Sequence, residues 1–174
     1  MGTFNQLRCE RLEDRDTPAG NVSVVLAGSQ LYVTGDGFDN GVSTQQNANG
    51  DIIVVGVNGT TVNGMGCVYV GRGILRDVIV RGGGGNDLID VVGLFVNNGI
   101  SIETGNGNDQ IQVRNVNAAY IAVYARGGND SLLTQNAHAS VGIDLQGGDG
   151  FDFWANRNTS GGQWGSVIQF EAFV

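Results

Sequence analysis

Apolar residues fall on alternate positions in short runs through the second half of the chain. They are Ile100 and Ile102, Ile111 and Val113, Ile121 and Val123, then Val141, Ile143 and Leu145. A period of two turns one face of a strand inward and the other outward. No stretch of useful length shows helical spacing. ISIE (100–103), QIQV (110–113), YIAVY (120–124), VGIDL (141–145) and FDFW (151–154) therefore read as strands. The one proline, Pro18, precedes all of them, so nothing interrupts the ladders after it.

Between these runs lie glycine-rich segments of one shape: GGGGNDLID from Gly82, TGNGNDQIQ from Thr104, ARGGNDSLL from Ala125 and GGDGFDFWA from Gly147. Their aspartates, Asp87, Asp109, Asp130 and Asp152, are 22 (109−87), 21 (130−109) and 22 (152−130) residues apart. The turn at ARGGNDSLL reads as one residue short, matching the spacing of 21. TGDGFDNGV (34–42) reads as a weaker fifth copy. A fixed period in this range marks a solenoid, whose repeats stack on their neighbours. The expected fold is all-β: a parallel β-solenoid, or β-helix, with coils of about 22 residues and an antiparallel N-terminal cap. Each coil needs at least two strands and two turns. At roughly 4.8 Å per coil, the chain makes a short rod of roughly seven coils at most.

Three stretches follow. Residues 1–19 form a charged N-terminal segment. Residues 20–75 form the cap or irregular first coils, with one hairpin over 22–35 about Ala27-Gly28-Ser29 and another over 51–64 about Asn58-Gly59, a favoured tight-turn pair. Residues 76–174 form the regular solenoid, and the tail SVIQFEAFV (166–174) covers its far end with Phe170 and Phe173.

Composition sharpens this. Thirty glycines serve a chain that turns tightly in every coil, and few aromatics imply a thin core. The net charge is −8, and all nine basic residues are arginines. That argues against nucleic acid and against anionic membrane surfaces. No apolar run is long enough to insert in a membrane. No secretory signal is apparent at the start, so export would use another route or follow removal of such a segment.

An acidic chain with stacked glycine turns suits a cation. Ca²⁺ takes six to eight oxygens. The carbonyls of Gly83, Gly85, Gly105, Gly107, Gly148 and Gly150, with Asp87, Asp109, Asp130 and Asp152, could supply them between adjacent coils. The alternative is free of metal: Asn and Asp cap tight turns, and stacked side chains form ladders. GGGGNDLID is similar to the calcium-binding nonapeptide GGxGxDxUx of the haemolysin-type (RTX) family, in which U is a large apolar residue. Gly82, Gly83, Gly85, Asp87 and Ile89 match every defined place, and the segments at 104–112, 125–133 and 147–155 match in part. The resemblance covers 82–155 and implies a single column of calcium turns, since the opposite turns (115–117 and 137–139) lack the motif. LRCERLEDRDTPAG (7–20) resembles the opening motif of large planctomycete cell-surface and secreted proteins, through Glu10, Leu12, Glu13, Asp14, Arg15, Pro18 and Ala19. It implies an extracellular or cell-surface location, with residues 1–19 as a sorting element. In that setting Cys9 and Cys67 could pair; two free thiols are the alternative.

No catalytic set stands out. Six residues before each aspartate lie Arg81, Glu103, Tyr124 and Gln146, with Arg81 and Glu103 expected to form a cross-strand ion pair. His138 lies alone between two alanines. Tyr69, Tyr120, Tyr124, Trp154 and Trp164 are candidate sugar platforms, although Trp154 falls at an inward place. The expectation is a non-catalytic surface or matrix protein, rigidified by Ca²⁺ and assembling with itself or other matrix components. The alternative is a carbohydrate-binding or polysaccharide-processing β-helix.

Overall fold

The computed structural model describes residues 20–173. It is a β-solenoid of about four turns, without helix among the described residues. Two hairpin systems open it. Strands β1 (Asn21–Ala27) and β2 (Gln30–Thr34) pair antiparallel about Gly28-Ser29, as the pattern predicts. Strand β3 (Gly41–Gln46) pairs antiparallel with β4 (Asp51–Val57), which pairs antiparallel with β6 (Cys67–Arg72). The expected hairpin about Asn58-Gly59 does not form. The tight turn is there, at φ 55° and 89° and closed by Thr60 N–H onto the Val57 carbonyl. Both edges of β4 are already taken, however, and the two-residue β5 (Thr61–Val62) pairs in parallel with β1 instead.

Parallel stacking begins where β2 meets β7 (Leu75–Gly84) and β3 meets β8 (Leu88–Val92). Strands β9 (Val96–Asn106), β10 (Gln110–Gly127) and β11 (Ser131–Asp149) continue the two columns. At the far end lie β12 (Phe153–Arg157), β13 (Ser160–Ile168) and the short β14 (Ala172–Phe173). Phe170 is buried there, its ring centroid 6.2 Å from that of Trp154.

Strands β10 and β11 are far longer than a usual strand of 3–10 residues, because hydrogen bonding continues around bends. In β10 the buried positions are Ile111, Val113, then Val116, Ala118, then Ile121, Val123, Ala125. The alternation slips at Asn115 and again at Ala119. Asn115, Asn136 and Asn158 take the left-handed conformation at one corner (φ 53°, 48° and 61°), which asparagine tolerates better than most residues. Each coil thus has three straight segments, one more than the minimum expected.

The register locates the missing residue of the 21-residue spacing. Pairing of β10 with β11 runs at an offset of 21 to Ala118↔Ala139 and of 22 from Tyr120↔Gly142. Arg126 pairs with Gly105 on one side and Gly148 on the other. The glycine turn at 125–133 is therefore not shortened. The short place is the corner at Ala119, which holds one residue where its neighbours hold 97–98 and 140–141. Val141 lies at this corner and is exposed rather than inward.

The interior is aliphatic. Ile89, Ile100, Ile102, Ile111, Ile121, Leu132, Ile143 and Leu145 are each at most 1 % exposed. Each contributes roughly 1.5–3 kcal/mol by burial. These rows hold the coils in register and so position the corners.

Candidate functional site

At the glycine corner the coils touch through their backbones. A Cβ on Gly107 would overlap the carbonyl of Gly85, and one on Gly128 the carbonyl of Gly107. Their φ angles, 140° and 129°, lie where side chains are strained. The carbonyls of Gly83, Gly85, Gly107 and Gly128 each approach a glycine of the next coil, which allows weak C–H···O contact.

The aspartates that follow are almost wholly buried: Asp87 2 % exposed, Asp109 1 %, Asp130 2 % and Asp152 0 %. Each carboxylate reaches back one coil. Asp87 Oδ1 accepts the Asn40 N–H at 2.8 Å, Asp109 Oδ1 that of Asp87 at 2.7 Å, Asp130 Oδ1 that of Asp109 at 2.8 Å and Asp152 Oδ1 that of Asp130 at 2.8 Å. Their carbonyls accept N–H groups from the next coil. Glu171 Oε2 ends the column by accepting the Asp152 N–H at 2.6 Å. Beside it runs an amide column. Asn86, Asn108 and Asn129 each accept, through Oδ1, the N–H one coil on, at 2.8 Å, ending at Phe151.

The weak fifth copy sits one residue off its expected frame. Asn40, not Asp39, takes the aspartate's place, and Asp39 Oδ1 heads the amide column by accepting the Asn86 N–H at 2.7 Å. Reasoning from spacing missed Asn40 and Glu171 because neither is an aspartate on the period. The signal available was their position at the two ends of the repeat array.

All four Oδ2 atoms are buried without a hydrogen-bond partner. Burial pushes the Asp87 and Asp130 carboxyls up to about 7, with the charge on Asp109 adding to both. Burial likewise raises Asp109 and Asp152, and Glu171 adds to the latter. Burial thus disfavours the charged form along the column.

Whether calcium fits can be judged from these oxygens. Oδ1 of each aspartate is engaged with a backbone N–H, and of the carbonyls named as ligands those of Gly83, Gly85 and Gly107 face a glycine of the next coil. Among the described residues no three Asp, Glu, His or Cys side chains converge as a metal site. Each aspartate keeps one unengaged oxygen, Oδ2, whereas Ca²⁺ takes six to eight.

The remaining candidates are placed as follows. Arg81, Glu103, Tyr124 and Gln146 do share a column, but Glu103 pairs with Arg126 at 2.7 Å rather than with Arg81. Trp154 is buried, its indole N–H donating to Thr134 Oγ1 at 3.0 Å. His138 has a partner after all, Nδ1 lying 2.8 Å from Ser160 Oγ on the exposed face. Cys67 is disulfide-bonded; the chain's other cysteine, Cys9, and the motif of residues 1–19 lie outside the described residues. Comparison with protein families, curated protein sequences and solved structures found no match.

Proposed function

We propose that this protein is a non-catalytic structural module of a cell surface or extracellular matrix, stiffened by stacked side-chain columns and assembling through the ends of its solenoid. The observation that carries the reading is the continuous aspartate column, which runs from Asn40 to Glu171. A coil invests its polar residues in contact with the next coil, which supports a role in rigidity. The disulfide at Cys67 suits an oxidising compartment, and the resemblance of residues 7–20 supports export. Among the described residues β6 and β13 each pair on one side only, and unpaired edges template further strands.

Scattering and electron microscopy of the purified protein test the assembly. Filaments or sheets that grow with concentration are expected; a strict monomer at millimolar concentration would count against it. A second reading, in which a cation sits on the column, draws on the four unpartnered Oδ2 atoms. Thermal unfolding after chelation, with Ca²⁺ or Mg²⁺ added back, separates the two. Bound ion at 100 times its Kd would add about 2.7 kcal/mol per site. An unchanged midpoint is the outcome a hydrogen-bonded, proton-neutralised column gives.

A further inference from the structure

Seven non-glycine residues of the described chain have positive φ. Five are asparagines, which tolerate it. The other two are Arg126 (φ 84°) and Gln169 (φ 58°), and both line one cleft of about 330 Å³. Arg126 stands where the other coils have Gly83, Gly105 and Gly148, at φ 112°, 108° and 110°. A side chain held in this conformation is strained, and such strain collects at binding sites.

The lining is completed by Asn106, Tyr124, Gln146 and Asp149. Tyr124 is fixed from two sides. Its hydroxyl donates to Asp144 Oδ2 at 3.0 Å, and the Arg126 guanidinium lies 5.7 Å from its ring centroid. Arg126 is held in turn by Glu103 at 2.7 Å. The cleft therefore presents one ordered aromatic, three side-chain amides, a carboxylate and the Arg126 guanidinium.

The charge balance narrows the ligand. Glu103, Asp144 and Asp149 stand against the single Arg126, so an anion gains little here. No three acidic groups converge as a metal site among the described residues. The volume is at the small end of ligand sites, roughly 300–1,000 Å³, and the lining is more polar than most of them. Amides that donate and accept, beside a carboxylate that accepts, match vicinal hydroxyls, and a fixed aromatic ring offers an apolar surface to the C–H face of a sugar.

We propose that this cleft binds a neutral saccharide, one or two pyranose units of a longer glycan, with Tyr124 against the ring and Asn106, Gln146 and Asp149 on its hydroxyls. The site goes beyond the structural role and stands without it, since a single copy carries every residue.

The test is a ¹H–¹⁵N chemical-shift titration with cellotetraose, mannotetraose and N-acetylchitotetraose. At least one of them shifts the amide signals of Asn106, Gly127 and Gly148. Tyr124→Ala and Gln146→Ala each weaken that binding roughly tenfold, with unfolding midpoints near that of the parent. Arg126→Gly relieves the backbone, so its midpoint rises by about 2–4 °C while binding weakens. The proposal is overturned if no tetrasaccharide shifts these signals, if the shifts survive both Tyr124→Ala and Gln146→Ala, or if Arg126→Gly binds as well as the parent.

Discussion

Within the regular stack, the glycine corner keeps one length from coil to coil, whereas the corner at Ala119 holds one residue in its own coil and two in the coils on either side. The first corner is packed backbone on backbone, with a buried carboxylate bonded to each coil before it. The second is solvent-facing, and its residue Val141 is 43 % exposed. A corner whose atoms are shared with both neighbours cannot change length without breaking several contacts together. A corner that hangs outside the stack can. Regularity in a solenoid is thus enforced locally, where coils interlock, rather than evenly along the chain.

The largest test of this difference is a methyl group. Gly107→Ala and Gly128→Ala each place Cβ onto a backbone carbonyl at a left-handed φ. Each is expected to cost about 3 kcal/mol or more, read by urea unfolding. A loss below about 1 kcal/mol would mean the coils can separate at the glycine corner.

The next test uses pH. The folded carboxyls of the column lie above the unfolded carboxylate value, with Asp87 and Asp130 at about 7. The folded state therefore keeps protons that the unfolded chain releases, and stability is full below about pH 4 and falls as pH rises to about 7. Asp77, held at about 2 by Arg76, Asn98 and Gln30 against its own burial, acts in the opposite sense but only in stronger acid. The unfolding free energy at pH 5 should exceed that at pH 8, with most of the loss between about pH 5 and 7. Asp130→Asn keeps an acceptor for the Asp109 N–H and removes the charge, so it should flatten this dependence. A profile that is unchanged in the variant would take the column out of the account.

Smaller effects come from the exposed corners. Asn136→Ala removes the bond to Asn115 Oδ1 and puts alanine at φ 48°; a loss of about 1 kcal/mol is expected in thermal unfolding. One serine inserted after Ala119 restores the two-residue corner of the neighbouring coils, and should cost less than about 0.5 kcal/mol. Should the insertion prove as damaging as Gly107→Ala, the contrast between the corners would be lost.

Much of this was legible beforehand. The repeated glycine-aspartate segments and the alternating isoleucines and valines announced the coil, because stacking demands equivalent residues at equivalent places. The inward places Ile89, Ile111, Leu132 and Trp154 followed from the same frame. Other features left no periodic mark. The opposite turn read at 115–117 does hold a corner, at Asn115, but nothing in the chain marks the further corner at Ala119. Arg126 reads from the sequence as part of a shortened turn, because a left-handed arginine in a column of glycines has no signature in the chain.

Period and polarity by themselves determined a parallel stack, its inward faces and its aspartate column, since a repeated pattern has one economical way to bury its apolar rows. Which oxygen meets which N–H was decided only in three dimensions. Distance between coils turned the aspartates inward onto the preceding backbone, ended the column at Glu171, and brought Tyr124, Arg126 and Gln169 to one cleft from two coils. Such contacts depend on the coil-to-coil offset, a quantity the linear chain does not contain.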